Sequence, residues 1–163
     1  LQEWERTGIA VVQVYHSVAL ENFRPEREDD IEAEFRYETP AGNKIVGVVD
    51  LIESRRLVDH KTTGSSNLKN AARGIQHIAY QLILPEPRPF VYSVINYRGR
   101  HQFFEMKPTK EQVEAFVRNA DAIFKALQNG FVFGNPKSMF CNEKWCFWYH
   151  ECPFGGGGHE RKE

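Results

Sequence analysis

The stretch "GVVDLIESRRLVDHKTT", residues 47–63, decides the fold. Two short apolar runs enclose the polar turn "ESRR", which reads as a β-hairpin. Asp50, Asp59 and Lys61 nevertheless stand in segments that otherwise have the composition of buried strand. Side chains two apart leave a strand on the same face, so Asp59 and Lys61 are neighbours while His60 points the other way. Asp50 falls approximately across the hairpin from Asp59, within a bulge or one residue of register. Converging carboxylates repel unless a cation stands between them. A divalent ion with oxygen ligands is the ordinary solution, Mg²⁺ taking one or two carboxylates plus water and phosphate oxygens. With a lysine at hand, these parts suit phosphodiester hydrolysis: the metal acidifies water and the ammonium steadies the charge that develops. A D-x-K pair alone is an ordinary surface pair worth at most about 1 kcal/mol. Its meaning therefore comes from its neighbours.

Working outward, "IEAEFRYE" (31–38) alternates apolar and polar residues as a strand does. "TPAGN" is a turn, "KIVGVVDLI" a second strand and "LVDHKTT" a third, so residues 31–62 form an antiparallel meander. Residues 1–22 space their apolar positions as a helix does. A helix from about Leu68 to Leu84 should follow the meander and end at "PEPRP". "FVYSVINY" and "HQFFEM" flank Arg98-Gly99-Arg100 as another hairpin. "TKEQVEAFVRNADAIFKALQNG" is an amphipathic helix with Thr109 as N-cap and Gly130 as C-cap. The predicted class is α/β, a central mixed β-sheet flanked by helices.

At 163 residues, with 41% hydrophobic and 13% aromatic content, the chain suffices for one core. We expect a single domain over 1–154 and a flexible tail over 155–163, which opens with four glycines. The formal net charge of −1 announces no global basic field, though a local basic groove is still allowed. No stretch approaches the roughly 20 apolar residues of a membrane span, and "LQEWERTG" lacks the layout of a signal peptide. These features predict a soluble, cytoplasmic protein with no membrane partner. The three cysteines, Cys141, Cys146 and Cys152, fall in one short segment. An odd, clustered set suits a metal or cluster better than a disulfide framework.

The order of a strand with Glu34, then "GVVD", then "VDHKT", then a helix carrying "QHIAY" resembles the PD-(D/E)XK nuclease superfamily, in its RecB-type branch of CRISPR-associated and phage exonucleases. The resemblance implies a restriction-endonuclease-like core and a Mg²⁺- or Mn²⁺-dependent deoxyribonuclease acting in recombination, repair or phage DNA processing, with DNA as substrate and a helicase or recombination partner. By it, Asp50 is a metal ligand, Asp59 and Lys61 are the D-x-K pair, and the backbone carbonyl of His60 is a further ligand. Gln76 and Tyr80 match its Q-x-x-x-Y signature for holding DNA, and four-residue spacing puts them on one helix face. Arg73, one turn earlier, is a candidate phosphate contact. The acidic residue expected upstream is Glu34 or Glu32, of which we favour Glu34, and His16 is the candidate for the branch's upstream histidine. The branch also carries a cysteine knot around a [4Fe–4S] cluster. Here Cys141, Cys146 and Cys152 would supply three thiolates, which suit such a cluster or zinc, with Phe140, Trp145, Phe147, Trp148 and Phe154 as a screen against water. A cysteine upstream of Leu1, or His150 or His159, would complete the set. The alternatives are a DNA-binding module of the same fold without turnover, or a metal-binding interaction domain.

Overall fold

A computed structural model describes residues 2–70, 72, 74–131, 141–147 and 149–152. The chain divides into two compact units, Leu1–Asp121 and Ala122–Glu163. The first opens with α1 (Glu3–Asn22), followed by β1 (Ile31–Glu38), β2 (Lys44–Ile52) and β3 (Leu57–Thr63). A crossover holds the short helix α2 (Gln76–Ala79) between two 3-10 turns, Leu68–Asn70 and Tyr80–Ile83. It leads to β4 (Phe90–Asn96), β5 (His101–Met106) and α3 (Lys110–Gln128), which begins in the first unit and ends in the second. Among the described residues, no helix is long and apolar enough to cross a membrane.

The five strands lie in the order β1-β2-β3-β4-β5. Every neighbouring pair is antiparallel except β3 and β4, which run parallel from Leu57↔Phe90 to Thr63↔Asn96. The expected meander and mixed α/β sheet are both present. A parallel pair requires a crossover, and the sequence predicts a single helix for it. The structure breaks that helix instead. Gly74 adopts φ +139°, which no helix can contain, so α2 begins only after Ile75. Thr109 caps α3 as expected: its hydroxyl accepts the Gln112 N–H at 3.3 Å while the Gln112 amide oxygen accepts the Thr109 N–H at 2.9 Å.

The two faces of the sheet are filled unequally. On the crossover side, Phe35, Val49, Leu57, Phe90, Tyr92 and Val94 pack with Leu68 and Ala72 into the main core. Each large side chain fully buried there contributes about 1.5–3 kcal/mol. On the other side, Phe23, Leu51 and Val58 meet Val18 and Ala19 of α1, and no residue of α1 is fully buried.

Sheet alternation fails at one point. Val49 belongs to the main core and Leu51 to the α1 side, although residues two apart should share a face. Their partners on β1 are Ala33 and Ile31, and between these Glu32 takes φ 52°, the only positive value at a described non-glycine residue. The irregularity leaves Glu32 and Asp50 opposite one another outside the ladder.

In the second unit, Gly130 closes α3, with the Phe131 N–H reaching the Ala126 carbonyl at 3.0 Å. The described residues of 141–147 and 149–152 are held by turns, among them Cys146 N–H to Asn142 O at 2.9 Å and Tyr149 N–H to Cys146 O at 3.1 Å.

Candidate active site

β2 and β3 are joined by only two ladder pairs, Leu51↔Val58 and Ile52↔Leu57, beyond the turn where the Glu53 N–H bonds the Arg56 carbonyl. Past those pairs the strands part, β2 continuing on β1 and β3 on β4. Asp50 and Asp59 are the first residues of the opening. In place of the next ladder bond, the Asp50 Oδ2 accepts the His60 backbone N–H at 2.7 Å. The N–H and C=O of a strand residue leave on the same edge, so the His60 carbonyl is turned into the opening as well.

Asp59 is 1% exposed. The Lys61 ammonium straddles its carboxylate, donating to Oδ1 at 3.0 Å and lying 2.9 Å from Oδ2 without hydrogen-bond geometry. Oδ2 is therefore a buried oxygen with no hydrogen-bond donor among the described residues. Burial pushes the Asp59 carboxyl above its usual range. Lys61 opposes that rise and Asp50 adds to it. Tyr80, whose hydroxyl accepts the Gln76 amide N–H at 3.1 Å, has its own titration raised by burial and then by the charge of Asp59. Gln76 and Tyr80 thus stand together on the side of the fork that carries Asp59 and Lys61.

The His60 ring lies on the opposite side, held edge-on between Tyr15 at 5.0 Å and Phe23 at 4.9 Å. Burial pushes its pKa down, with His101 adding to the fall and Asp50 opposing it. A cavity of about 430 Å³ opens there, lined by Tyr15, His16, Phe23, Glu32, Asp50 and His60 among others. Tyr15 has its hydroxyl raised by burial first, then by Asp50 and Glu32. Glu32 therefore shares this cavity with Asp50, whereas Glu34 pairs with Val48 and is exposed. The sequence offered no sign of Tyr15 or Phe23, since an aromatic on an amphipathic helix, or at the position just past its end, reads as packing. Arg73 lies outside the described residues.

The sequence profile of the PD-(D/E)XK nuclease superfamily matches residues 2–154. The chain belongs to this superfamily. Two crystal structures share the superfamily member's fold. SSO0001 matches with a TM-score of 0.56 at 23% identity, over 90% of this chain and 68% of that one. The protein named "Putative exonuclease" from Eubacterium rectale matches with a TM-score of 0.54 at 12% identity, over 86% and 65%. The chain thus spans about two thirds of the length of each. No curated protein matches it.

Nucleases of this superfamily generally use divalent metals such as Mg²⁺ or Mn²⁺. The fork fits such an ion: Asp50, Asp59 and the His60 carbonyl are all hard oxygen donors, and the Asp59 Oδ2 is buried without a donor. Among the described residues no group of three or more His, Cys, Asp or Glu side chains is arranged to hold a metal. A site of two carboxylates completed by peptide oxygen and water, the habit of Mg²⁺, is compatible with that.

The cysteine segment differs. Cys141, Cys146 and Cys152 are free and half-buried, and they are not brought together as a ligand set. His150 instead lies 3.1 Å from Glu143. The expected aromatic screen is not formed by Trp145, 61% exposed, or Phe147, 90% exposed. A run of turns imposes no alternation that would turn all three sulfurs inward. Phe140, Trp148, Phe154 and His159 lie outside the described residues.

Proposed function

We propose that this chain is a metal-dependent deoxyribonuclease of the RecB type, hydrolysing DNA phosphodiester bonds from an end. The observation that carries the reading is the fork itself, where a buried Asp59 bound by Lys61 faces Asp50 at the point where β2 and β3 separate. Asp50, Asp59 and the His60 carbonyl would hold Mg²⁺ or Mn²⁺, which when bound acidifies water and offsets phosphate charge. Lys61, bound to Asp59, presents positive charge where the attacking oxygen and the crowded phosphate gather negative charge. The His60 N–H fixes the Asp50 carboxylate, and the Tyr15–Phe23 clamp fixes His60. Gln76 and Tyr80 orient the strand against the fork. Glu32, opposite Asp50 in a costly backbone conformation, is better placed than Glu34 to act as the upstream acid.

The match over residues 2–154 supports reading 1–154 as the nuclease domain. The likeness to the protein named "Putative exonuclease" supports action at DNA ends, in recombination, repair or phage DNA processing beside a helicase that opens those ends. The test is release of nucleotides from end-labelled linear DNA with Mg²⁺ or Mn²⁺, against a closed circular control. Cutting of the circle would overturn the exonuclease reading, and DNA affinity without turnover in either metal would leave a binding module.

A further inference from the structure

A second cavity, about 690 Å³, lies between the N-terminal half of α1 and the carboxyl ends of β3 and β4, lined by Trp4, Thr7, Val11, Val12, Thr62 and Tyr97, with Glu3 its only charged lining residue. Two large aromatics face it while remaining open to solvent, Trp4 at 70% and Tyr97 at 55% exposure. Tyr97 is exposed on a rigid support. Its N–H bonds the Thr63 carbonyl at 3.1 Å, and the turn it begins is organised by Asn96, itself 1% exposed. The Asn96 Oδ1 accepts the N–H groups of Arg98 and Arg100, both at 3.0 Å, and its own N–H bonds the Arg100 carbonyl at 2.9 Å. Gly99, at φ +73°, completes the turn, and a Cβ there would lie 3.4 Å from Val14 of α1. Arg98 and Arg100 are exposed, and neither guanidinium has an ion-pair partner among the described residues.

We propose that this groove holds the unpaired bases of a DNA single strand adjoining the fork, with Trp4 and Tyr97 as stacking faces and Arg98 and Arg100 as phosphate contacts. The inference rests on the nuclease reading above and names the form of its substrate. Aromatic faces accept any base, because every base has a π-face, but only when the bases are not already stacked inside a duplex. The pinned turn lowers the ordering cost of binding. Arg98 and Arg100 stand outside the lining, in the turn that Tyr97 begins, and there offer two positive charges against the single carboxylate of Glu3, which suits a phosphate backbone and which an apolar protein helix does not require. Position agrees: His60, on the same face of the sheet as the groove, is in register with Ser93, so Tyr97, four residues on, lies about 13 Å farther along the strand, at the carboxyl ends of the parallel pair.

Fluorescein-labelled oligo(dT) of twenty nucleotides, titrated by anisotropy in EDTA so that nothing is cut, tests this beside a blunt duplex. Tyr97→Ala and Trp4→Ala should each weaken oligo(dT) binding about tenfold, the size of one lost base stack. Tyr97→Phe should restore it, and duplex binding should change less. Arg98→Ala and Arg100→Ala should each lower the salt-dependence slope by about 0.7. Both aromatics are exposed, and thermal melting confirms that each variant folds. Unchanged oligo(dT) affinity in both alanine variants of a protein that still degrades DNA would overturn the platform alone and give the groove to an apolar protein segment. Wild-type protein that neither binds nor degrades oligonucleotides would overturn the nuclease reading, and the platform with it.

Discussion

The two faces of the sheet differ in how they are closed. The crossover face is closely packed at its centre, with Leu57, Phe90, Tyr92 and Val94 fully buried, Asp59 set beside them, and a cavity of about 730 Å³ confined to its margin by Ile52, Ile83 and Leu84. The α1 face rests on three buried side chains and leaves two cavities beneath or beside the helix. The ionic half of the fork is thus held by the part of the molecule that yields least. The half facing solvent, with Asp50, Glu32 and Tyr15, is held by the part that yields most. An unyielding support for the paired charges and an accessible approach to them are opposed demands, and here they are divided between opposite sides of one sheet.

The sharpest way to break this division is at the fork. Asp59→Ala and Lys61→Ala should both fold, and both should lose DNA hydrolysis, Lys61→Ala by on the order of a hundred- to a thousandfold and Asp59→Ala below detection. Near-normal nucleotide release by either folded variant would remove Asp59 and Lys61 from the chemistry. Packing gives the next largest contrast. Leu57→Ala on the crossover face should cost about 2–5 kcal/mol of unfolding free energy, while Val18→Ala on α1 should cost about 1 kcal/mol or less because its site is only partly closed. Equal losses in urea melts would mean that the faces are equally sealed. Gln76→Ala should slow processing of DNA about tenfold through lost positioning while leaving Mn²⁺ binding by calorimetry intact. Loss of the metal would place Gln76 at the ion instead.

The smallest effect is electrostatic. Burial raises the Asp59 carboxyl above its usual 3.8, so the folded state keeps that proton longer than the unfolded chain. Stability from this group therefore rises as pH falls through the raised value, and the full penalty remains above it. In metal-free buffer, Asp59→Asn should raise Tm by a few degrees near neutral pH, and the gain should shrink on acidification toward the unfolded chain's value. A gain that grows on acidification would reverse the assigned shift.

Regular strands made much of the fork legible. Period-two alternation alone put Asp59 and Lys61 side by side and His60 on the opposite face, because the pleat leaves no freedom in that choice. The loss of alternation at Asp50 and Glu32 was not legible. It depends on a positive φ at a glutamate that nothing in "IEAEFRYE" foretells, and it is the reason Glu32 rather than Glu34 meets Asp50. The crossover misled for a related reason: "AARGIQHIAY" has helical spacing, but Gly74 spends its conformational freedom there on a break. The cysteine segment was the least legible, since spacing fixes direction only where a repeating backbone carries it.

The hydrogen bond from the His60 amide to Asp50 has a consequence for observing the protein at work. This amide is tied to a side chain where its neighbours toward the turn are tied to a strand, so its proton senses the carboxylate directly. Whatever draws on Asp50, whether a proton or an ion, lengthens that bond and should shift the amide's resonance in a nitrogen–proton NMR spectrum before any strand pairing changes. Its hydrogen-exchange rate should move in the same sense. One backbone signal thereby reports occupancy of the fork in the absence of DNA and of turnover.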